Sequence, residues 1–203
     1  TKEKSGPTHY LDLEWLWRIP SVEEYRKSKF PLDIKKATEF FEAQTGGRSL
    51  TKDFGTLPWR TQQFTRRLLS AFEKAAPKKG SERCDEKRVE ATKEALTEAA
   101  LLAHFIEDAT QPLHATKDFD GHDTGQRGMH LYVEVDLVKY LINSDDLQEK
   151  VLAETMARLS KERQLGERWV GVMFLILLES HDFIDKVRDL DLKYAVAPYS
   201  EGK

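Results

Sequence analysis

The stretch LLAHFIEDATQPLHATKDFDGHDTGQRGMHLYVE, residues 101–134, reads as helix, break, loop and helix in turn. His104 and Asp108 stand four apart before the break at Gln111-Pro112, and His130 and Glu134 repeat that spacing after the loop. On a helix, side chains at i and i+4 share a face, about 5–6 Å apart at Cβ. Each pair therefore aims one nitrogen and one oxygen donor in a common direction. Proline disfavours helix in the residue before it, so the first helix ends or bends at Gln111, and His114 can turn back towards the same point. Neutral imidazoles with carboxylates and no thiolate suit zinc in an open site. Three histidines and two acids exceed what one tetrahedral ion takes, so the set can hold two ions with a carboxylate shared between them. One His-x-x-x-Asp pair alone is more often a surface pair or a hydrogen-bonded histidine. Two such pairs with a histidine between them are a stronger signal.

Outward from this stretch the pattern stays helical. Val89–Gln111 reads as one long helix, with Val89, Leu96, Ala100, Ala103 and Phe105 among its apolar positions. Trp59–Ala76 carries Phe64, Leu68, Ala71, Phe72 and Ala75 at helical spacing and stops at Pro77, and a charged linker, Lys78–Lys87, follows. Ser21–Glu42 has a helical pattern interrupted by Pro31 and stopped at Gly46-Gly47, and Phe54–Pro58 reads as a loop. THYLDLEWLWRIP, residues 8–20, is an aromatic-rich packed segment that contains His9. Downstream, Met129–Leu141, Leu147–Glu162 and Gly166–Arg188 read as helices. There is no period-2 strand pattern and no repeat. The expected fold is all-α: one domain over residues 1–203, a multi-helix bundle with a metal cluster in a cleft between helices.

Bulk properties narrow the function. The 203 residues carry 32 Lys and Arg against 35 Asp and Glu, a formal charge of -3. That balance offers no broad basic surface for duplex DNA, whose binding rests on neutralised phosphates. Cys84 is the only cysteine, so no disulfide forms within the chain. The longest apolar run, Trp169–Leu178, is half of the ~20 residues a membrane span needs, and it reads as a buried helix. No signal peptide is visible at Thr1, and nothing fixes the oligomeric state. His122 reads as a solvated loop histidine within reach of a substrate, and His181-Asp182 as a capping or core-edge pair. The four tryptophans read as core residues.

The order H-x-x-x-D-x-x-Q-P-L-H, then G-x-H-x-x-x-E, resembles the zinc-dependent phospholipase C and single-strand nuclease superfamily. The residues that carry it are His104, Asp108, Gln111-Pro112-Leu113-His114, Gly128, His130 and Glu134. His9-Tyr10-Leu11-Asp12 and Leu57-Pro58-Trp59 are similar to bacterial members. The resemblance covers about His9 to Glu134. It implies a helical protein with two to three zinc ions in a cleft. One ion falls to His9, His104 and Asp108, with an Asp upstream of Thr1. A second falls to His114, His130 and Glu134. A third uses an N-terminal Trp and a nearby His, and shares Asp108. That Trp and His have no counterpart from Thr1 onward, so the resemblance implies either a segment ahead of Thr1 or an incomplete cluster. Glu107 stands where the family often has Gly, but it points about 100° away from Asp108 around the helix.

The chemistry implied is phosphodiester hydrolysis, with metal-activated hydroxide attacking phosphorus in line. Asp108 and Glu134 are then the carboxylates of the catalytic centre, as ligands rather than free bases. The substrate stays open between phospholipid and single-stranded nucleic acid. Glu134 and the compact Gly128–Glu134 context lean towards phospholipase C. Tyr10 and Asp12 occupy the positions of substrate-binding residues in the nucleases, where an aromatic stacks on a base. From the residues alone they also read as a core aromatic and a surface carboxylate. A non-catalytic, zinc-stabilised helical binding domain is the reading from another class. Family members are mostly exported, so the resemblance implies a periplasmic or secreted protein.

Overall fold

A computed structural model describes residues 6–15, 33–77, 86–141 and 169–194. Regular structure among them is all-α, with no strand. The expected helix at Leu147–Glu162, most of the charged linker, Trp17 and Cys84 lie outside the described residues.

Asp33 starts α1 (Ile34–Gln44), the first α-helix among the described residues, by accepting the backbone N–H groups of Lys35 and Lys36. These are donors that a first helical turn leaves open. Ala37 and Phe41, four apart, are its buried contacts. A wide turn at Leu50–Phe54 follows, closed by the Asp53 carboxylate on the Ser49 N–H.

Helix α2 (Leu57–Ala75) begins two residues before the expected Trp59. Pro58 sits in its first turn, where a missing N–H costs no helical bond, so the expected loop at Phe54–Pro58 contracts to a corner at Gly55. Helix α3 (Glu86–Thr110) likewise begins ahead of Val89 and ends one residue before Gln111. The two helices run antiparallel. Arg88 reaches the Ala75 carbonyl at 3.3 Å and Lys74 pairs with Glu94 at 3.1 Å at one end. Phe64 stacks on Phe105, 5.0 Å between ring centroids, towards the other. Small buried residues on the facing surfaces, Ala71, Ala91 and Ala95, let the axes approach.

Helix α5 (Trp169–His181) closes the core. Val170, Met173, Phe174, Leu177 and Leu178 bury one broad stripe at helical spacing, and Phe174 meets Trp59 edge-to-face at 5.4 Å. Each such side chain contributes about 1.5–3 kcal/mol when fully buried. The expected helix Gly166–Arg188 breaks into two. The Phe183 N–H turns to the Ser180 carbonyl, a tighter bond than the helical one. Helix α6 (Ile184–Tyr194) then starts with Ile184 buried and Phe183 exposed. The break swings α6 so that Arg188 and Asp191 reach the loop at 117–128.

That loop is anchored from inside. Buried Asp118 accepts the Asp123 N–H at 2.9 Å and the Arg188 guanidinium at 3.1 Å. Gln126, also buried, donates to the Arg188 carbonyl and to the Asp191 carboxylate. Gly121 has φ +72°, and a Cβ there would meet the Gln126 carbonyl oxygen at 2.5 Å. The loop delivers the chain to Met129–Leu131, a π turn at Tyr132–Leu137 and Val138–Leu141, which run on as one helix, α4. The expected helix Met129–Leu141 thus carries a wider turn in its middle, a feature frequent at functional sites.

Candidate metal centre

The first part of the site is held by backbone bonds. Leu11 N–H donates to the His114 carbonyl at 3.0 Å, Asp12 N–H to Phe54 at 2.8 Å, and Leu57 N–H to the Tyr10 carbonyl at 3.3 Å. The alternation of partners is that of an extended chain threaded between two helix ends. Leu11 and Leu13 are fully buried. Glu14 closes the segment by accepting the Lys117 N–H at 3.0 Å and pairing with His181 at 3.5 Å. Burial would raise the Glu14 carboxyl, but bonds from His181, Thr116 and the backbone outweigh it and hold the pKa below its ordinary value.

This threading brings His9 to the last turns of α3. His9 Nδ1 lies 2.8 Å from Asp108 Oδ2 and 3.3 Å from His104 Nε2, and His104 Nε2 lies 3.6 Å from the same carboxylate oxygen. Phe105, next to His104 in sequence, stacks under the His9 ring at 4.6 Å and 25°.

The second part grows from the Gln-Pro-Leu-His turn. Pro112 ends α3, the Gln111 side chain accepts the Leu113 N–H at 3.1 Å, and Leu113 is fully buried. The turn therefore points His114 inward. His114 Nε2 lies 2.9 Å from Glu134 Oε1 and 2.9 Å from His130 Nε2, and His130 Nε2 lies 3.2 Å from the same oxygen. The two sets adjoin through Asp108, whose Oδ1 is 3.5 Å from His114 Nδ1. Burial, the largest influence, holds the His114 pKa below its ordinary value, and His130 pushes the same way against the pull of Asp108 and Glu134.

Each triad offers two imidazoles and a carboxylate, the donor chemistry of an open zinc site. Circles drawn through the three donor atoms have radii of about 1.9 Å and 1.7 Å. Zinc bonds to nitrogen and oxygen are ~2.0–2.2 Å, so both donor sets are the right size for such an ion. His114 Nδ1 is buried against Asp108 Oδ1, and the lowered pKa of His114 favours the neutral imidazole, the form that can bind a metal.

All six residues singled out as ligands come together in these two sets. Tyr10 and Asp12 sit on the same segment as His9, but the Tyr10 ring lies against Gly55. Burial first, then Asp12 and Asp53, raise the Tyr10 hydroxyl pKa. Exposed His122 is 3.9 Å from Asp120 in the loop, and His181 is engaged with Glu14. Of the tryptophans, Trp59 is buried and Trp169 half-buried.

Two aromatic rings beside the site have no mark in the ligand spacing. Phe105 backs His9, and half-exposed Phe119 stands edge-on to His130 at 5.4 Å. The adjacency of Phe105 to His104 was the one available cue. Stacked rings contribute about 0.5–1.5 kcal/mol beyond area, and groups that orient ligands change metal affinity by 10–100-fold. Phe105→Leu is therefore expected to weaken zinc at the His9 set about tenfold and to spare the His130 set. Competition with a chromogenic chelator reads both.

No family model matches the chain, and neither curated proteins nor solved structures gave a significant match.

Proposed function

We propose that the chain is a zinc-dependent phosphodiester hydrolase of phospholipase C type. The observation that carries this reading is the pair of adjoining His–His–carboxylate triads joined through Asp108. His9, His104 and Asp108 would hold one ion, and His114, His130 and Glu134 another. Divalent ions at such sites supply an activated water nucleophile and offset charge on phosphoryl oxygens.

The chain's own residues orient and shield. Asp108 faces both sets and fixes their separation. Phe105 covers one face of the His9 ring, and Leu11 and Leu113, chain neighbours of the site, are fully buried. His104, half exposed, and Glu134, a third exposed, leave one side open to a substrate. A single-strand nuclease is the second reading. The exposed Phe119 ring beside His130 favours it, because aromatic faces hold bases. The test is hydrolysis of phosphatidylcholine and of single-stranded DNA, with and without chelator. Chelator-sensitive turnover of the lipid supports the first reading, and of the DNA the second. Turnover of neither, in a zinc-loaded chain, leaves a zinc-stabilised binding domain and overturns both.

Acid should unload the site. In the unfolded chain His114 takes up its proton near the ordinary value of about 6.5, whereas burial lowers the folded value. Between these values the unfolded state binds more protons, so stability is present above about pH 6.5 and falls as the solution is acidified below it. Protons and metal also compete for the same imidazole. Equilibrium dialysis is expected to show full zinc retention at pH 7.5 and progressive release below pH ~6.

A further inference from the structure

Arg60 and Arg67 stand two turns apart on α2 and share contact with the Phe64 ring. Their guanidinium carbons lie 4.7 Å and 5.5 Å from the centroid of the Phe64 ring, and Arg60 lies 5.9 Å from that of Phe105. Phe105 is the ring stacked under His9, so Arg60 borders the first metal triad with one ring between, and Arg67 stands one ring further out, across Phe64. Among the described residues, neither guanidinium has a carboxylate within ion-pair distance. Arg60 Nη1 donates to Gln63 Oε1 at 2.9 Å, and Arg60 Nε is buried with no hydrogen-bond partner. Arg188 and Arg48, by contrast, face Asp118 and Asp53.

In a chain with more acidic than basic residues, two unpaired cations held against one ring, and therefore near each other, need a reason. They repel each other, and a cation–π contact at an exposed site returns only about 0.5–1 kcal/mol. A tetrahedral oxyanion relieves the repulsion, and guanidinium forks match its geometry.

We propose that Arg60 and Arg67, with Gln63 orienting Arg60, form a phosphate-binding subsite beside the candidate zinc centre. It takes a phosphate group other than the one being hydrolysed, either free or carried by the substrate. The substrate-borne case rests on the hydrolase reading, whereas the subsite itself does not.

Two arms separate these possibilities. The first titrates the full chain with inorganic phosphate and follows the side-chain Nε–H resonances of Arg60 and Arg67 by NMR. Both are expected to move along one saturable curve. Arg60→Gln should weaken the curve read at Arg67 about tenfold, the size expected for one charge-assisted bond, and Arg60→Lys should restore part of it. Independent or non-saturating shifts, or an unchanged curve in Arg60→Gln, overturn the subsite. The second arm compares, on the zinc-loaded chain, two chromogenic phosphodiesters that differ by one additional phosphate. A KM about tenfold lower for the two-phosphate ester, with the ratio collapsing in Arg60→Gln and Arg67→Gln, assigns the subsite to substrate. A ratio of one in wild type, with the first arm positive, assigns it to free phosphate. A chain that turns over neither ester defeats the hydrolase reading and leaves the first arm to decide the subsite.

Discussion

Asp108→Asn is expected to strip zinc from the His9 set, weaken it at the His114 set, and reduce phosphodiester turnover by more than ~100-fold. Asp108 joins the two triads, with Oδ2 2.8 Å from His9 and Oδ1 3.5 Å from His114. Losing a partner that merely orients a ligand costs 10–100-fold, and loss of a ligand itself should exceed that. Asparagine has the same shape, so the fold should survive, and unchanged helical circular dichroism would separate lost chemistry from lost structure. Glu134→Gln is the comparison: it touches only the second triad, so the zinc at His9, His104 and Asp108 should remain. If both variants lose the same metal, the two sets are not distinct sites.

Gly55→Ala is expected to destabilise the protein by more than ~3 kcal/mol. Gly55 has φ +93°, a region that costs other residues about 1–3 kcal/mol. A Cβ built there also overlaps the Tyr10 carbonyl oxygen and comes within 2.7 Å of the Tyr10 ring. That carbonyl accepts the Leu57 N–H at the start of α2, and the residue before it is His9. The clash therefore falls on the segment that carries a candidate ligand, His9. Gly47→Ala has the same φ with nothing within 4 Å, so it should show the backbone cost alone, about 1–2 kcal/mol. Urea midpoints for the two variants, with zinc content alongside, check both the clash and its effect on His9.

The sequence carried the helices and the ligand spacing because both are local. Three-and-four periodicity marked α2, α3 and α5, and the i,i+4 pairs His104/Asp108 and His130/Glu134 met as helical geometry requires. Boundaries shifted where end effects decide, as at Pro58. The break after His181 could not be read: no Pro or Gly interrupts the pattern there, and α6 is fixed by contacts to a loop some sixty residues away. The same holds for Asp118 and Gln126. Glycine and aspartate suggested a solvated loop, yet both residues are buried against α6. Which faces of Asp108 meet which imidazoles, and the ring behind His9, depend on long-range packing that spacing does not encode. The Tyr10 ring, which resemblance offers as a stacking aromatic, lies against the Gly55 corner, and the exposed Phe119 ring stands edge-on to His130.

Metal content bears most directly on the candidate centre. The purified full chain, equilibrated with zinc at pH 7.5 and freed of excess, should retain at least two zinc ions per molecule in elemental analysis, and X-ray absorption should show only nitrogen and oxygen neighbours. Asp108→Asn should retain no more than one. A wild-type chain that keeps one zinc or none, or whose zinc content is untouched by Asp108→Asn, would contradict a paired site built on that carboxylate.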